Sequence, residues 1–222
     1  MKLYNLPHSP YAARVRIQLR LQDLPVEILP PPVPLRTEAF MELFPLGKVP
    51  VLELDSGETV AESWAIMEYL AEIASGDGSG SAAALVPECA LGRAQMRMLG
   101  RYADLHLAVN ALFPLFRAAM GAAGDTAGIA QSLRGELAKG ERLLASFGDG
   151  ARPLHLGDIA LAPTMLYLHE LSPLVGIADP LAEFPCLAGW WKWVNGIAPV
   201  QEVLHEVRVA YRAFIEGLTA KA

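Results

Sequence analysis

Two cysteines in 222 residues, Cys89 and Cys186, exclude a disulfide framework, and no Cys-x-x-Cys pair or His/Cys spacing is present to hold a metal. The expectation for both is a reduced, buried structural thiol, and no metal is expected. No apolar run approaches the ~20 residues needed to span a bilayer. The opening MKLYNLPHSP also lacks the apolar core of a signal peptide. Charged residues make up only 19% of the chain, and the 18 Lys and Arg are outnumbered by 24 Asp and Glu, for a net charge of -6. The basic residues form no block, which argues against a nucleic-acid surface. A cytoplasmic protein with no membrane and no nucleic-acid partner is expected. A small anionic ligand remains compatible, because it needs only local positive charge or helix N-termini.

What the chain has is apolar mass and proline. Hydrophobic residues reach 53%, enough for a sizeable core, and the length suits one large domain or two small ones. Pro50 lies inside the strand-like run Gly47-Lys48-Val49-Pro50-Val51-Leu52-Glu53-Leu54. Proline donates no ladder hydrogen bond, so its presence there points to the start of a strand, an edge or a tight cis turn.

Taken in order, residues 2–4 read as a strand and residues 10–21 as a helix, with Pro10 in its first turn and Ala12, Val15 and Leu19 on one face. Residues 26–29 alternate as a strand, and Thr37 caps a short helix to residue 43. A strand over 49–54 turns at Asp55-Ser56-Gly57 and pairs with 58–60; Ser63 then starts a helix to about residue 73. The helix between the first two strands implies a parallel crossover, so the sheet is mixed and small. Ser75-Gly-Asp-Gly-Ser-Gly-Ser81 reads as a linker. Beyond Pro87 only helical periodicity is found. Met98, Tyr102, Leu105, Val109, Leu112 and Phe116 form one apolar stripe of a long helix, and Ile129, Leu133, Leu137 and Leu144 form a second. Asp158 is expected to cap a third helix; Pro185 and Pro199 open a fourth and a fifth. The expected organisation is a small α/β domain over 1–75, a linker over 76–86 and an all-α domain over 87–222.

This order of elements, with Val-Pro leading into the third strand, resembles the cytosolic glutathione transferases. The residues that carry the resemblance are Lys2-Leu-Tyr4 with Ser9, Arg14-Val-Arg16, Gly47 to Leu52, Glu62-Ser63 with Ala65-Ile66 and Tyr69-Leu70, Leu85-Val-Pro87 with Arg93-Ala94, and Asp158 to Pro163. The resemblance implies an α+β two-domain protein whose thioredoxin-like N-terminal domain, a mixed four-stranded sheet with helices, binds glutathione as co-substrate. It implies a cis Val49–Pro50 peptide with Lys48, Val49 and Pro50 beside the ligand. Glu62 and Ser63, at a helix N-terminus, would take its γ-glutamyl end.

Ser9-Pro10-Tyr11-Ala12 stands where redox relatives carry a nucleophilic cysteine. A hydroxyl cannot form the mixed disulfide of thiol exchange. Ser9 therefore resembles the serine of the theta, phi and zeta classes, which stabilises the glutathione thiolate with help from the N-terminus of its helix. Tyr4 is its rival, and a helix cap is the plainer role for Ser9. His155 stands three residues before Asp158, where relatives have a hydroxyl that completes a capping box, so the helix there is expected to be weakened. By resemblance the acceptor site lies between the domains, with His8, Tyr11, Tyr102, His106, Asn110 and Phe113 as candidates. The expected partners are glutathione and a small hydrophobic electrophile, and the expected assembly is a homodimer. Conjugation, isomerase or peroxidase chemistry, and non-catalytic binding are all compatible with these residues.

Overall fold

The computed structural model describes residues 1–76, 84–122, 124–148 and 152–219. They divide into two compact units, Met1–Leu85 with Gln201–Ala222 and Val86–Val200. Residues from 201 onward thus group with the first unit, although the helical pattern had placed them with the second. Most of the expected linker falls on residues 77–83, outside the described residues.

The first unit is built on a four-stranded mixed sheet of order β2-β1-β3-β4. Its strands are β1 (Lys2–Tyr4), β2 (Glu27–Leu29), β3 (Val51–Glu53) and β4 (Thr59–Ala61). β1 runs parallel to β2 and antiparallel to β3, and β3 pairs antiparallel with β4. Each strand has three residues, so β3 is shorter than the apolar run 49–54 suggested: the ladder starts only after Pro50. Strand alternation divides the sheet into two faces. Leu3 and Leu52, paired across it, are fully buried on one face. On the other, Tyr4 and Val51 pack with Phe40 and Phe44, and the Phe44 ring lies 5.2 Å from Tyr4 and 5.1 Å from Phe40.

Helix α1 (Pro10–Leu21) occupies the predicted span, with Ser9 as N-cap and proline in its first turn. Thr37 caps α2 (Glu38–Leu43) through a hydrogen bond accepted from the Phe40 N–H at 3.2 Å. Helix α3 (Ser63–Gly76) follows β4 directly and runs three residues past the expected end. The final helix, α9 (Ala198–Thr219), contributes its residues from 201 onward to this unit.

The second unit holds α4 (Ala90–Tyr102), a π-helical segment Ala103–Leu112, α5 (Phe113–Ala119), α6 (Thr126–Ala145), α7 (Leu156–Leu171), a 3-10 turn Ser172–Val175 and α8 (Pro185–Val194). Two expectations fail here. The predicted stripe of the long helix faces the core only in part: Tyr102 and Leu112 are buried, but Met98, Leu105 and Val109 are about half exposed, and a row of Leu99, Ala103, Leu107, Ala111 and Leu115 is buried instead. These recur every four residues, a longer period than the 3.6 of an α-helix, and the wider π turn keeps such a row on one face. The cysteines are both exposed rather than buried. Cys89 is the N-cap of α4, where its sulfur accepts from the Gly92 N–H at 3.3 Å, and such a cap sits at the surface end of its helix.

Helix α7 starts three residues earlier than predicted, with His155 rather than Asp158 as N-cap. The capping box forms in full despite the missing hydroxyl. His155 Nδ1 accepts from the Asp158 N–H at 3.3 Å, while Asp158 Oδ2 accepts from the His155 N–H at 3.0 Å. The imidazole lone pair takes the place of the hydroxyl oxygen. At 3% exposure His155 has no access to a substrate.

Candidate active site

Sheet register decides which loops of the first unit meet. Tyr4, the last residue of β1, pairs with Val51, the first of β3, and Val51 pairs with Ala61, the last of β4. The chain leaving β1 toward Ser9, the chain entering β3 through Val49–Pro50 and the chain leaving β4 through Glu62-Ser63 therefore lie along one edge of the sheet. Ser9 precedes Val49 by 40 residues and Val49 precedes Glu62 by 13, and the three share this edge only because of the pairing.

At this edge the Val49–Pro50 peptide is cis. Pro50 is buried and Val49 half-buried, and Lys48 is exposed. Val49 lies outside the ladder, which begins at Val51. A backbone donor and acceptor next to a sheet but outside its pairing suit an extended ligand that adds as a strand.

Glu62 has φ of 68°, the left-handed region that disfavours a side chain. Such a conformation costs about 1–3 kcal/mol and clusters at functional sites. It swings the chain from β4 into α3 within one residue. The Glu62 carbonyl accepts from the Ile66 N–H at 3.0 Å, which makes Glu62 the cap and Ser63 the first residue of the helix. Ser63 is 5% exposed and Glu62 is exposed. A helix N-terminus with a hydroxyl favours a carboxylate, and an exposed carboxylate beside it favours an ammonium.

Ser9 closes a turn by donating its N–H to the Leu6 carbonyl at 2.9 Å. Its Oγ accepts from the Ala12 N–H at 3.2 Å, so the cap and the site coincide. A serine hydroxyl holds two acceptor sites and one donor, so capping uses the oxygen and leaves the hydrogen to donate. Tyr4 differs. Its hydroxyl donates to Glu53 Oε2 at 2.7 Å, and this hydrogen bond, followed by burial, raises its pKa. His8 is half-buried and stacks on Phe214 of α9, ring centroids 4.4 Å apart, and burial lowers its pKa. Tyr11 has the Arg14 guanidinium 4.9 Å above its ring.

The remaining candidates belong to the second unit. Tyr102 is 4% exposed, and its hydroxyl donates to the Glu136 carbonyl at 2.8 Å. Burial pushes that hydroxyl's pKa well up. Its surroundings are those of a core residue. Asn110 donates to Glu136 Oε1 at 3.0 Å, and His106 Nδ1 lies 3.7 Å from Oε2. The pair one turn apart thus converges on a buried glutamate instead of on each other. Phe113 is 40% exposed. Glu136 was not anticipated, although a carboxylate between Leu133 and Leu137 on an apolar stripe is a legible anomaly. A groove of about 380 Å³ lies wholly within this unit, lined by Asn110, Arg117, Asp125 and Ser132 among others; it holds none of the other candidates. Among the described residues no cluster of three His, Cys, Asp or Glu is arranged for a metal, and no helix is long and apolar enough to cross a membrane.

Residues 3–78 match the family model described as glutathione S-transferase, N-terminal domain. A probable glutathione S-transferase of Oryza sativa subsp. japonica is 30% identical over 86% of this chain and 82% of its own length. A maleylacetoacetate isomerase of Rhizobium meliloti is 34% identical over 72% of this chain and 78% of its own. Among solved structures, glutathione S-transferase III in its apo form superposes with a TM-score of 0.73 at 27% identity, covering 93% of this chain and 96% of that one.

Proposed function

The chain belongs to the glutathione S-transferase family, and from that premise we propose that its first unit binds glutathione and that Ser9 holds the thiol as a thiolate for attack on a small hydrophobic electrophile. One observation carries this reading: the Tyr4 hydroxyl is committed to Glu53, whereas the Ser9 hydroxyl caps α1 through its oxygen and keeps its hydrogen to donate. In the bound state that hydrogen would point to the glutathione sulfur. The α1 N-terminus adds its positive end, and both favour the charged form of the thiol. Val49 would pair with the ligand's cysteinyl backbone, with Lys48 and Pro50 flanking it. Ser63 would bind the γ-glutamyl carboxylate and Glu62 the ammonium.

The chemistry is then simple. The thiolate electron pair forms a carbon–sulfur bond, and the electrophile releases a leaving group or takes up a proton. His8 and Tyr11, beside Ser9 in sequence, are the first unit's candidates for contact with the electrophile. His106 and Phe113, exposed on the second, are its candidates.

A second reading has one specific observation in its favour. The relative from Rhizobium meliloti is a maleylacetoacetate isomerase, so glutathione-dependent isomerisation of a catabolic acid is the alternative. The protein is further proposed to be a cytoplasmic homodimer.

The test pairs binding with product analysis. Retention on glutathione-agarose and heat stabilisation by glutathione are expected, and failure of both would leave only a non-catalytic role. With a panel of acceptors, a product heavier by glutathione indicates conjugation, and an unchanged mass indicates isomerisation. Sedimentation at micromolar concentration should give twice the 23.9 kDa of the chain; a single-chain species would refute the dimer.

A further inference from the structure

Helix α9 runs antiparallel to α1, and its Phe214 lies against His8 in the turn that presents Ser9. Arg20 of α1 reaches Glu202 at 3.4 Å and Glu206 at 2.5 Å. One turn nearer the N-terminus of α1, Arg16 reaches Glu206 at 2.9 Å. Before that helix begins, His8 stacks on Phe214 with its ring inclined by 18°. Partners on α1 descend in number as those on α9 ascend, the register of two antiparallel helices. Arg20 is a third exposed, so its pairs contribute little. Arg16 is different: its side chain is 6% exposed, and its guanidinium spans two partners. Nη1 donates to Glu206 Oε2, and Nη2 donates to the Pro7 carbonyl at 2.7 Å.

Pro7 opens the turn that contains His8 and ends at Ser9. Its carbonyl is thus tied to a buried cation, and that cation is held by α9. One residue on, the His8 ring is held by the same helix.

We infer that Arg16 is a positioning residue for Ser9, carrying the hold of α9 through Glu206 to the Pro7 carbonyl and so fixing where the Ser9 hydroxyl sits. The inference rests on the assignment of Ser9 above. The physical reason is the steep dependence of a charge-stabilising hydrogen bond on placement. A donor displaced by about 1 Å can lose as much as 10²-fold in rate. Pro7 gives the turn no N–H of its own, and the bidentate fork of arginine can hold a carbonyl and a carboxylate at once where an ammonium holds them poorly. The C-terminal helix is then part of the thiol-activating apparatus without touching glutathione.

The experiment compares Arg16→Met, Arg16→Lys and Glu206→Gln with the parent protein, and Ser9→Ala is run alongside. Two quantities are read: the pKa of the bound thiol, from the ultraviolet absorbance of the thiolate against pH, and kcat together with the dissociation constant for glutathione. Arg16→Met is expected to lower kcat about tenfold and raise the bound-thiol pKa by about one unit. The glutathione dissociation constant should change by less than about twofold. Arg16→Lys should fall between Arg16→Met and the parent, and Glu206→Gln should shift both quantities in the same direction by less. A protein with a lower melting temperature but an unchanged thiol pKa and kcat would reduce Arg16 to a structural staple and overturn the inference. If Arg16→Met does not fold, Glu206→Gln carries the test alone, since that carboxylate is 42% exposed. Activity retained in Ser9→Ala sinks the assignment of Ser9, and this inference with it. A fall in Ser9→Ala with no effect at Arg16 or Glu206 sinks this inference only.

Discussion

The Tyr4 hydroxyl donates to the Glu53 carboxylate at 2.7 Å across the antiparallel pair of β1 and β3. Tyr4 faces Val51, so its partner is the diagonal neighbour two residues along, and Lys2, directly opposite Glu53, holds the other carboxylate oxygen at 2.9 Å. The three side chains share one face of the sheet. A tyrosine that could have served as thiol activator is thereby occupied.

Tyr4→Phe is accordingly expected to lower kcat/KM by less than about twofold, whereas Ser9→Ala should lower it on the order of 10²-fold, the scale of losing one preorganised donor. Steady-state kinetics with a common electrophile decide between them. The reverse ranking would transfer the role to Tyr4.

Asp158 is a heavily bonded carboxylate of the second unit. It is fully buried and takes a two-pronged contact from Arg152 at 2.6 and 2.7 Å, the His155 N–H and the Trp190 indole at 2.8 Å. Burial pushes its pKa up, but the hydrogen bonds it accepts, Arg152's foremost, outweigh that and bring it to about 2. Because the folded value is depressed, its stabilisation is present above the usual carboxylate range near 3.8 and is lost as pH falls through about 2. Asp158→Ala should cost about 3–5 kcal/mol at neutral pH, read from the urea midpoint, because Arg152 loses its counter-charge. It should also weaken the fall of stability on acidification.

His8 has the opposite chemistry and the same sign. Burial lowers its pKa, so the unfolded chain binds a proton more readily than the folded one. Its contribution is present above the ordinary imidazole pKa of about 6.5 and is lost as pH falls through the lower folded value. Urea midpoints between about pH 7 and 5 should fall less steeply in His8→Phe, which keeps the stack on Phe214 and removes the titration. An unchanged slope would show that His8 does not contribute.

Gly140 sits where α6 meets the ring of Tyr102. A Cβ there would lie 2.6 Å from the ring's Cζ, far inside contact distance. Alanine favours a helix over glycine by about 1 kcal/mol, but a buried ring with its hydroxyl tied to Glu136 cannot yield cheaply. Overpacking of this kind costs about 1–3 kcal/mol. Gly140→Ala should thus destabilise the protein in chemical unfolding; a rise in stability would show that the ring moves freely.

Local chemistry made much of this protein legible in its sequence. Proline in the first turn and serine before it bounded α1 to the residue, and Thr37 marked α2, because caps and prolines act within one helical turn. Pro50 in an apolar run marked a strand start, an edge or a cis turn, and the family resemblance selected the cis peptide that the structure has. What failed was periodicity that presumed α geometry. Met98, Leu105 and Val109 were expected inside and lie half exposed, the last two within a π segment; the four-residue spacing from Leu99 to Leu115 was the overlooked sign. Only tertiary structure could decide the rest, since it depends on groups far apart in the chain. Register brings Ser9, Pro50 and Ser63 to one sheet edge, Glu53 occupies Tyr4, and Glu206, 190 residues from Arg16, is linked through it to the turn before Ser9. Sequence fixes which atoms can donate and accept. Pairing between distant segments decides which of them are left to do so.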